Sequence, residues 1–137
     1  MMLAHHPQKN RYHPKATYPV HELSLAAAAA DLIVSRAGSG AIFEIAAWEK
    51  PALLVPIPET VSRDQRANAY AYAHSGGAVV VEQENFTPHL LLSEAERILS
   101  DVEIMKKMQD GARQFQKPQA ADLIAQEIMK ILLKHEF

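Results

Sequence analysis

The apolar positions of this chain fall into two kinds of pattern, short unbroken runs and longer stretches with helical spacing. Leu32-Ile33-Val34, bounded by Asp31 and Ser35, is too short for a helix that buries itself and reads as a buried strand. A second run, Pro51 to Pro58, is entered and left through prolines, and a third, Ala78 to Glu82, is rich in valine. Between them the helical stretches take their places. Leu23-Ser24-Leu25 with the alanines Ala26 to Ala30 has high helix propensity and little bulk, so that helix can lie close against a sheet. Ala41 to Lys50 has helical composition after Gly38-Ser39-Gly40, and Arg63 to Ser75 is stopped by Gly76-Gly77 as a C-cap pair. Thr87-Pro88 opens a further helix by the cap-then-proline rule, with Leu90, Leu91, Ala95, Ile98 and Leu99 on its apolar face. Glu103 to Phe115 and Pro118 to about Lys134 close the chain, the last helix with Leu123, Ile124, Ile128, Ile131 and Leu132 expected to face inward. Met105 and Met108 are expected in the core, Trp48 in packing, and His74 and His89 at the surface. Ahead of all this, Ala16 to Val20 suits a short strand that Pro19 confines to an edge, and residues 1–14 read as a poorly ordered lead-in.

Strands alternating with helices at this spacing imply right-handed βαβ crossovers, hence an α/β fold, a Rossmann-like parallel sheet with helices on both faces. Three clear strands make a thin sheet, as though the first βα unit were missing. At 137 residues the chain is one domain, able to bury roughly two thirds of its unfolded surface. A net charge of −2 gives no basic stripe for nucleic acid, and no apolar run is long enough to span a bilayer. The absence of cysteine removes disulfides, thiolate zinc sites and a cysteine nucleophile, and suits a cytoplasmic protein. His5, His6, His13 and His21 cluster near the start without a metal-ligand spacing.

Candidate chemistry concentrates in two places. A strand, the Gly38-Ser39-Gly40 turn and a helix N-terminus make a potential anion site, because first-turn N–H groups lack partners and the helix dipole is positive there. The same turn links strands to helices in domains that bind nothing, so the motif alone leaves both readings open. Glu44 lies one helical turn after Gly40, where a carboxylate can accept two hydrogen bonds from a ribose diol or simply favour the dipole. Arg36 can meet a phosphate or pair with a carboxylate. The second place is Asp64-Gln65-Arg66-Ala67-Asn68 after the 51–58 strand: Gln65 and Asn68 share one helix face and offer the fixed donors and acceptors that sugar hydroxyls need. Capping by Ser62 or Asp64 explains Asp64 but not that pair. No nucleophile, base and orienting acid come together, and no close carboxylate pair suits glycoside hydrolysis.

These stretches resemble the C-terminal domain of MurG-type glycosyltransferases, glycosyltransferase family 28. The family pattern runs here as Ala30-Asp31-Leu32-Ile33-Val34-Ser35-Arg36-Ala37-Gly38, Glu44-Ile45-Ala46, Lys50 to Pro56, Asp64 to Ala69, Gly76-Gly77-Ala78 and Ala112-Arg113, in order, within residues 17–134. The resemblance implies the C-terminal half of a two-domain GT-B fold over residues 15–137. It also implies a donor site for UDP-N-acetylglucosamine, whose sugar is transferred to lipid-linked muramyl-pentapeptide in peptidoglycan synthesis, without a metal or cofactor. Within it Arg36 and Gly38 belong to the site, Ser39, Gly40 and Ala41 lie along the diphosphate, Glu44 holds the ribose, and Asp64, Gln65 and Asn68 contact the sugar. The segment Tyr18 to Glu22 resembles the stretch that meets uracil but assigns no residue firmly. The acceptor domain, with the catalytic base and the membrane-facing surface, is not matched, nor is the glycine-rich loop that opens the C-terminal domain. The chain alone is therefore expected to be inactive, either part of the enzyme or a non-catalytic subunit that needs a separate acceptor-domain protein. Its expected location is the cytoplasm or the inner face of the cell membrane. A related UDP-N-acetylglucosamine epimerase fits less well, because its acid and base residues have no counterpart here.

Overall fold

The computed structural model describes residues 2–3 and 20–134, so the expectations for His5, His6 and His13, for a strand over residues 16–19 and for most of the lead-in lie outside the described residues. Val20, the end of that expected strand, instead opens helix α1, Val20–Ala29. The order continues β2 Leu32–Ser35, α2 Ser39–Ala47, β3 Ala52–Leu54, α3 Arg63–His74, β4 Ala78–Val80, a 3-10 turn Gln83–Asn85, α4 Pro88–Leu99, α5 Val102–Phe115 and α6 Ala120–Lys134. Strands β2, β3 and β4 are parallel neighbours, Ile33 facing Ala52 and Ala52 facing Ala78. A two-residue strand β1, Met2–Leu3, pairs antiparallel on the outer edge of β2.

Side chains alternate across this sheet, as the two-residue period of a strand requires. Ile33, Ala52, Leu54 and Ala78 enter one core with Ala27 and Ala30 of the α1 region, Ile42, Ile45 and Ala46 of α2, and Ala69 and Tyr72 of α3. Leu32 and Leu53 enter the other, with Ala95 and Ile98 of α4 and Met108 of α5, and Met105 packs beside it. Both faces are thus covered, by α1 to α3 on one side and by α4 on the other, while α5 gives Met108 to the second core and Ala112 to the first. The small alanine side chains bring α1 close to the sheet, Ala27 and Ala30 being buried there.

Local chemistry sets the element ends. Thr87 caps α4 by accepting a hydrogen bond from the N–H of Leu90 at 3.2 Å, with Pro88 in the first turn. Asp101 caps α5 through the N–H groups of Glu103 and Ile104, which moves its start one residue ahead of Glu103. Ser62 stands at the N-cap of α3, but its side chain makes no capping bond. Gly76, at φ +89°, turns the chain from α3 into β4 in a backbone conformation that glycine adopts without strain.

The inward face expected for α6 is not found. Leu123, Ile124, Ile128, Ile131 and Leu132 are 60%, 61%, 52%, 51% and 56% exposed, and α6 buries no residue. The reason is geometric. The preceding helices already close both faces of the sheet, so the periodicity of α6 declares an apolar face that finds no receiving surface among the described residues.

Candidate nucleotide site

The C-terminal ends of β2, β3 and β4 open into three neighbouring loops, the place where open parallel sheets put their ligands. After β2 the chain turns at Gly38, the N-cap of α2, whose φ of −64° and ψ of 144° are extended. Its carbonyl accepts the first helical bond, from the N–H of Ile42 at 3.0 Å. The N–H groups of Ser39, Gly40 and Ala41 come before that bond, and no side chain caps them. A Cβ built on Gly38 or Gly40 would meet no atom within 4 Å, and neither glycine has a positive φ. Neither packing nor backbone geometry therefore demands glycine at these two positions. A side chain at either position would have room, and among the described residues no side chain caps the N–H groups that open α2.

One turn into α2, Glu44 is exposed and lines a cavity of about 210 Å³ with Leu23, Val34, Ser35, Ala41 and Trp48. Its carboxylate has no ion pair or hydrogen bond among the described residues. The cavity joins an apolar wall, from Leu23, Val34 and Trp48, to a single acid, and so combines a stacking or packing surface with a hydrogen-bond acceptor for hydroxyls. Trp48 also packs against the core, as expected from the sequence.

The Asp64–Asn68 stretch begins α3 beside this loop. The side-chain carbonyl of Gln65 accepts from the N–H of Ala37 at 3.3 Å and from the N–H of Ile57 at 3.2 Å. The Asn68 amide donates to the carbonyl of Ala37 at 3.5 Å. Gln65 and Asn68 therefore clasp Ala37, which is buried, and tie the loop after β2 to the loop after β3. The amide nitrogen of Gln65 and the amide oxygen of Asn68 are not used in these bonds. Asp64 is exposed in the first turn of α3, where its charge suits the helix dipole. Arg36 does not pair with a carboxylate: its Nη1 donates to the Val55 carbonyl at 3.1 Å and to Gln83 Oε1 at 2.6 Å, joining the ends of β2 and β3 to the turn after β4.

Sequence reading missed a network on the outer side of these loops. Arg66 donates to Glu82 at 2.9 Å and to Glu59 at 3.4 Å, Tyr70 donates to the same Glu82 carboxylate at 2.8 Å, and Arg66 lies over the Tyr70 ring. The Arg66 bond, then the Tyr70 bond, hold the Glu82 carboxyl below its ordinary value, and Glu82 in turn raises both the Arg66 guanidinium and the Tyr70 phenol. The separations within this set, up to 23 residues between Glu59 and Glu82, left no local signal to find.

Among the described residues no helix is long and apolar enough to cross a membrane. The glycosyltransferase family 28 C-terminal domain model matches residues 4–124. A UDP-N-acetylglucosamine--N-acetylmuramyl-(pentapeptide) pyrophosphoryl-undecaprenol N-acetylglucosamine transferase of Rhodopseudomonas palustris strain HaA2 is 37% identical over 111 residues, 81% of this chain and 30% of its own length. A protein of the same name from Anaeromyxobacter sp. strain Fw109-5 is 37% identical over 114 residues, 83% of this chain and 30% of its length. Among solved structures, Acinetobacter baumannii MurG superposes with a TM-score of 0.69 at 31% identity, over 81% of this chain and 31% of that one. The kitacinnamycin glycotransferase superposes at 0.56 with 26% identity, over 74% of this chain and 26% of that one. The fold fits the C-terminal half of a GT-B glycosyltransferase, and the chain spans about a third of the length of the relatives it matches.

Proposed function

The chain belongs to the glycosyltransferase family 28 C-terminal domains, and from that premise we propose that it is the donor-binding part of a MurG-like glycosyltransferase, taking UDP-N-acetylglucosamine at the C-terminal edge of its sheet. One observation carries the reading: among the described residues, no side chain caps the N–H groups of Ser39, Gly40 and Ala41, and one helical turn later the Glu44 carboxylate has no partner. In this reading the N–H groups and the dipole of α2 hold the diphosphate, and Glu44 accepts from the ribose hydroxyls. Gln65 and Asn68 keep the loop after β2 in place while their unused amide atoms, with Asp64, meet the sugar. Arg36 and Gly38 shape the same loop rather than supplying a reacting group. The reaction is transfer of N-acetylglucosamine to a lipid-linked muramyl-pentapeptide at the cytoplasmic face of the membrane. The acceptor half of the cleft is the part of the relatives that this chain does not span.

Calorimetric titration with UDP-N-acetylglucosamine tests the site. Glu44→Ala is expected to weaken binding by roughly 10- to 100-fold, the range for losing hydrogen bonds to a charged group. Gly40→Ala is expected to weaken binding as well while leaving the fold as stable or up to about 1 kcal/mol more so, since alanine favours the helix and its Cβ meets nothing. Absence of measurable heat from the wild-type chain at millimolar donor sinks the reading.

A second reading is favoured by the share of its relatives that the chain covers. Here it is a non-catalytic, UDP-sugar-binding subunit or fragment that needs a separate acceptor-domain partner, because a GT-B site positions both substrates and excludes water only between its two domains. Sugar transfer on adding a MurG-like N-terminal domain, with none from either part alone, distinguishes it.

A further inference from the structure

The C-terminal edge of the sheet is closed by a ring of contacts to which each loop gives one pair of consecutive residues. Arg36-Ala37 follows β2, Gln65-Arg66 opens α3 after the β3 loop, and Glu82-Gln83 follows β4. In each pair the two neighbours reach different loops. The Ala37 N–H donates to Gln65 Oε1 at 3.3 Å, Arg66 Nε donates to Glu82 Oε1 at 2.9 Å, and Arg36 Nη1 donates to Gln83 Oε1 at 2.6 Å, which returns the circuit to Arg36. Of these three links, Arg66 to Glu82 alone joins opposite charges, and Tyr70 donates to the same carboxylate at 2.8 Å. The planar guanidinium serves a second loop as well, with Nη1 on Glu59 at 3.4 Å, close to the Ile57 N–H that Gln65 holds.

We propose, on the donor reading above, that this ring is the positioning frame of the candidate nucleotide site, and that Arg66 and Glu82 act on the donor through Gln65 and Asn68, whose place relative to the N-terminus of α2 they set. The physical reason lies in where α3 is held. Ala69 and Tyr72 are buried in the first core, and Gly76 turns the chain straight into β4. Asp64, Arg66 and Ala67, in the opening turns, are exposed, so apolar packing holds that end of the helix less firmly. There Gln65 ties the helix to the loops after β2 and β3, and Arg66 ties it to the turn after β4. Two anchors in different directions fix an orientation that one leaves free to rotate. An exposed ion pair adds little to global stability, and Arg66 is half exposed. Its effect here is to hold the polar atoms of Gln65 and Asn68 at a fixed spacing before a ligand arrives, which lowers the ordering cost of binding.

Amide hydrogen exchange of the donor-free chain, followed by NMR, tests the ring directly, because the N–H groups of Ala37 and Ile57 are bonded to Gln65. In Arg66→Met and in Glu82→Ala these two amides are expected to exchange about three- to fivefold faster, the scale of an exposed ion pair, while Ile33 and Leu91, bonded to the Pro51 and Thr87 carbonyls, keep their rates. The effect of the double variant is expected to fall short of the sum of the two, since both remove one shared link. Calorimetry on the same proteins is expected to show UDP-N-acetylglucosamine binding weakened about three- to fivefold, with UDP itself held as in the wild type, because the ring acts on the sugar side. Faster exchange at all four amides alike is general destabilisation and overturns the proposal, as do unchanged rates at Ala37 and Ile57 or fully additive effects in the double variant. Wild-type donor affinity in both single variants, or an equal loss for UDP and UDP-N-acetylglucosamine, overturns it too. A wild-type chain that binds neither ligand, while Ala37 and Ile57 respond as expected, overturns the donor reading alone and supports the ring as the frame of this edge.

Discussion

At the scale of single residues, two close contacts set sharp tolerances. A Cβ on Gly111 of α5 would lie against backbone atoms of the α3–β4 turn, the Ser75 carbonyl oxygen, the Gly76 carbonyl carbon, and the Gly77 nitrogen at 2.6 Å. Alanine at that position gains about 1 kcal/mol of helix propensity, but backbone atoms cannot swing aside as a side chain can. The steric term should win, and Gly111→Ala is expected to lower stability by about 1–3 kcal/mol in urea unfolding, with α5 displaced from the turn. Tyr72 presents the opposite case. Its ring packs edge-on against Phe115 with centroids 4.9 Å apart, while its hydroxyl is buried without a hydrogen-bond partner, and burial raises the phenol's pKa. Tyr72→Phe keeps the packing and removes the unpaired group, so thermal unfolding is expected to show a neutral or slightly stabilised protein. Tyr72→Ala, in contrast, should cost about 3–5 kcal/mol for the cavity it leaves.

At the scale of elements, exposed hydrogen bonds and ion pairs add to the apolar packing where α5 meets α2. Arg113 of α5 reaches Glu49, just past the end of α2, at 2.6 Å, and Gln116 donates to the Ala46 carbonyl at 2.8 Å, so α5 helps close the C-terminus of α2. Glu49 itself has a φ of +53°, an uncommon conformation for a residue with a side chain, and these bonds help hold it there. The Arg113 hydrogen bond depresses the Glu49 carboxyl, as the Arg66 bond depresses Glu82. A carboxyl lowered in the folded state stabilises it at pH values above the unfolded pKa, near 4.5, and that contribution fades as pH falls through the folded value. Melting temperature is therefore expected to drop on acidification below about pH 5, and Arg113→Met should flatten part of that drop. Both pairs are solvent-exposed, so added salt should shrink the effect.

At the scale of the whole molecule, the two cores close around β2, β3 and β4 without α6. Deleting residues 120–134 is therefore expected to leave the melting transition of the remaining domain within a few degrees of the full chain, since no buried side chain is lost. A large fall in melting temperature, followed by circular dichroism, would show that α6 serves the domain's own core. The open edge of the sheet has a different standing. Three loops converge there, and their shape is kept by Gln65 and Asn68 of α3, which hold backbone atoms of the loops after β2 and β3, and by Arg36 after β2, which holds the Val55 carbonyl and the Gln83 side chain. Such a clasp ties the approach of a ligand at α2 to the position of α3.

The order of strands and helices was legible in the chain, because runs of Leu, Ile and Val against stretches of helical period report directly which face each element must bury. So were the open N-terminus of α2 and the place of Glu44 one turn along it, since both follow from local spacing. What Gln65 and Asn68 hold was not legible, nor that Arg36 meets a carbonyl and an amide in place of a carboxylate, because those partners lie 8 to 47 residues away. The final helix shows the boundary most clearly. Its sequence determines an apolar face, since periodicity is a local property. Only the tertiary structure decides whether that face finds a surface, and among the described residues both faces of the sheet are already covered by other helices.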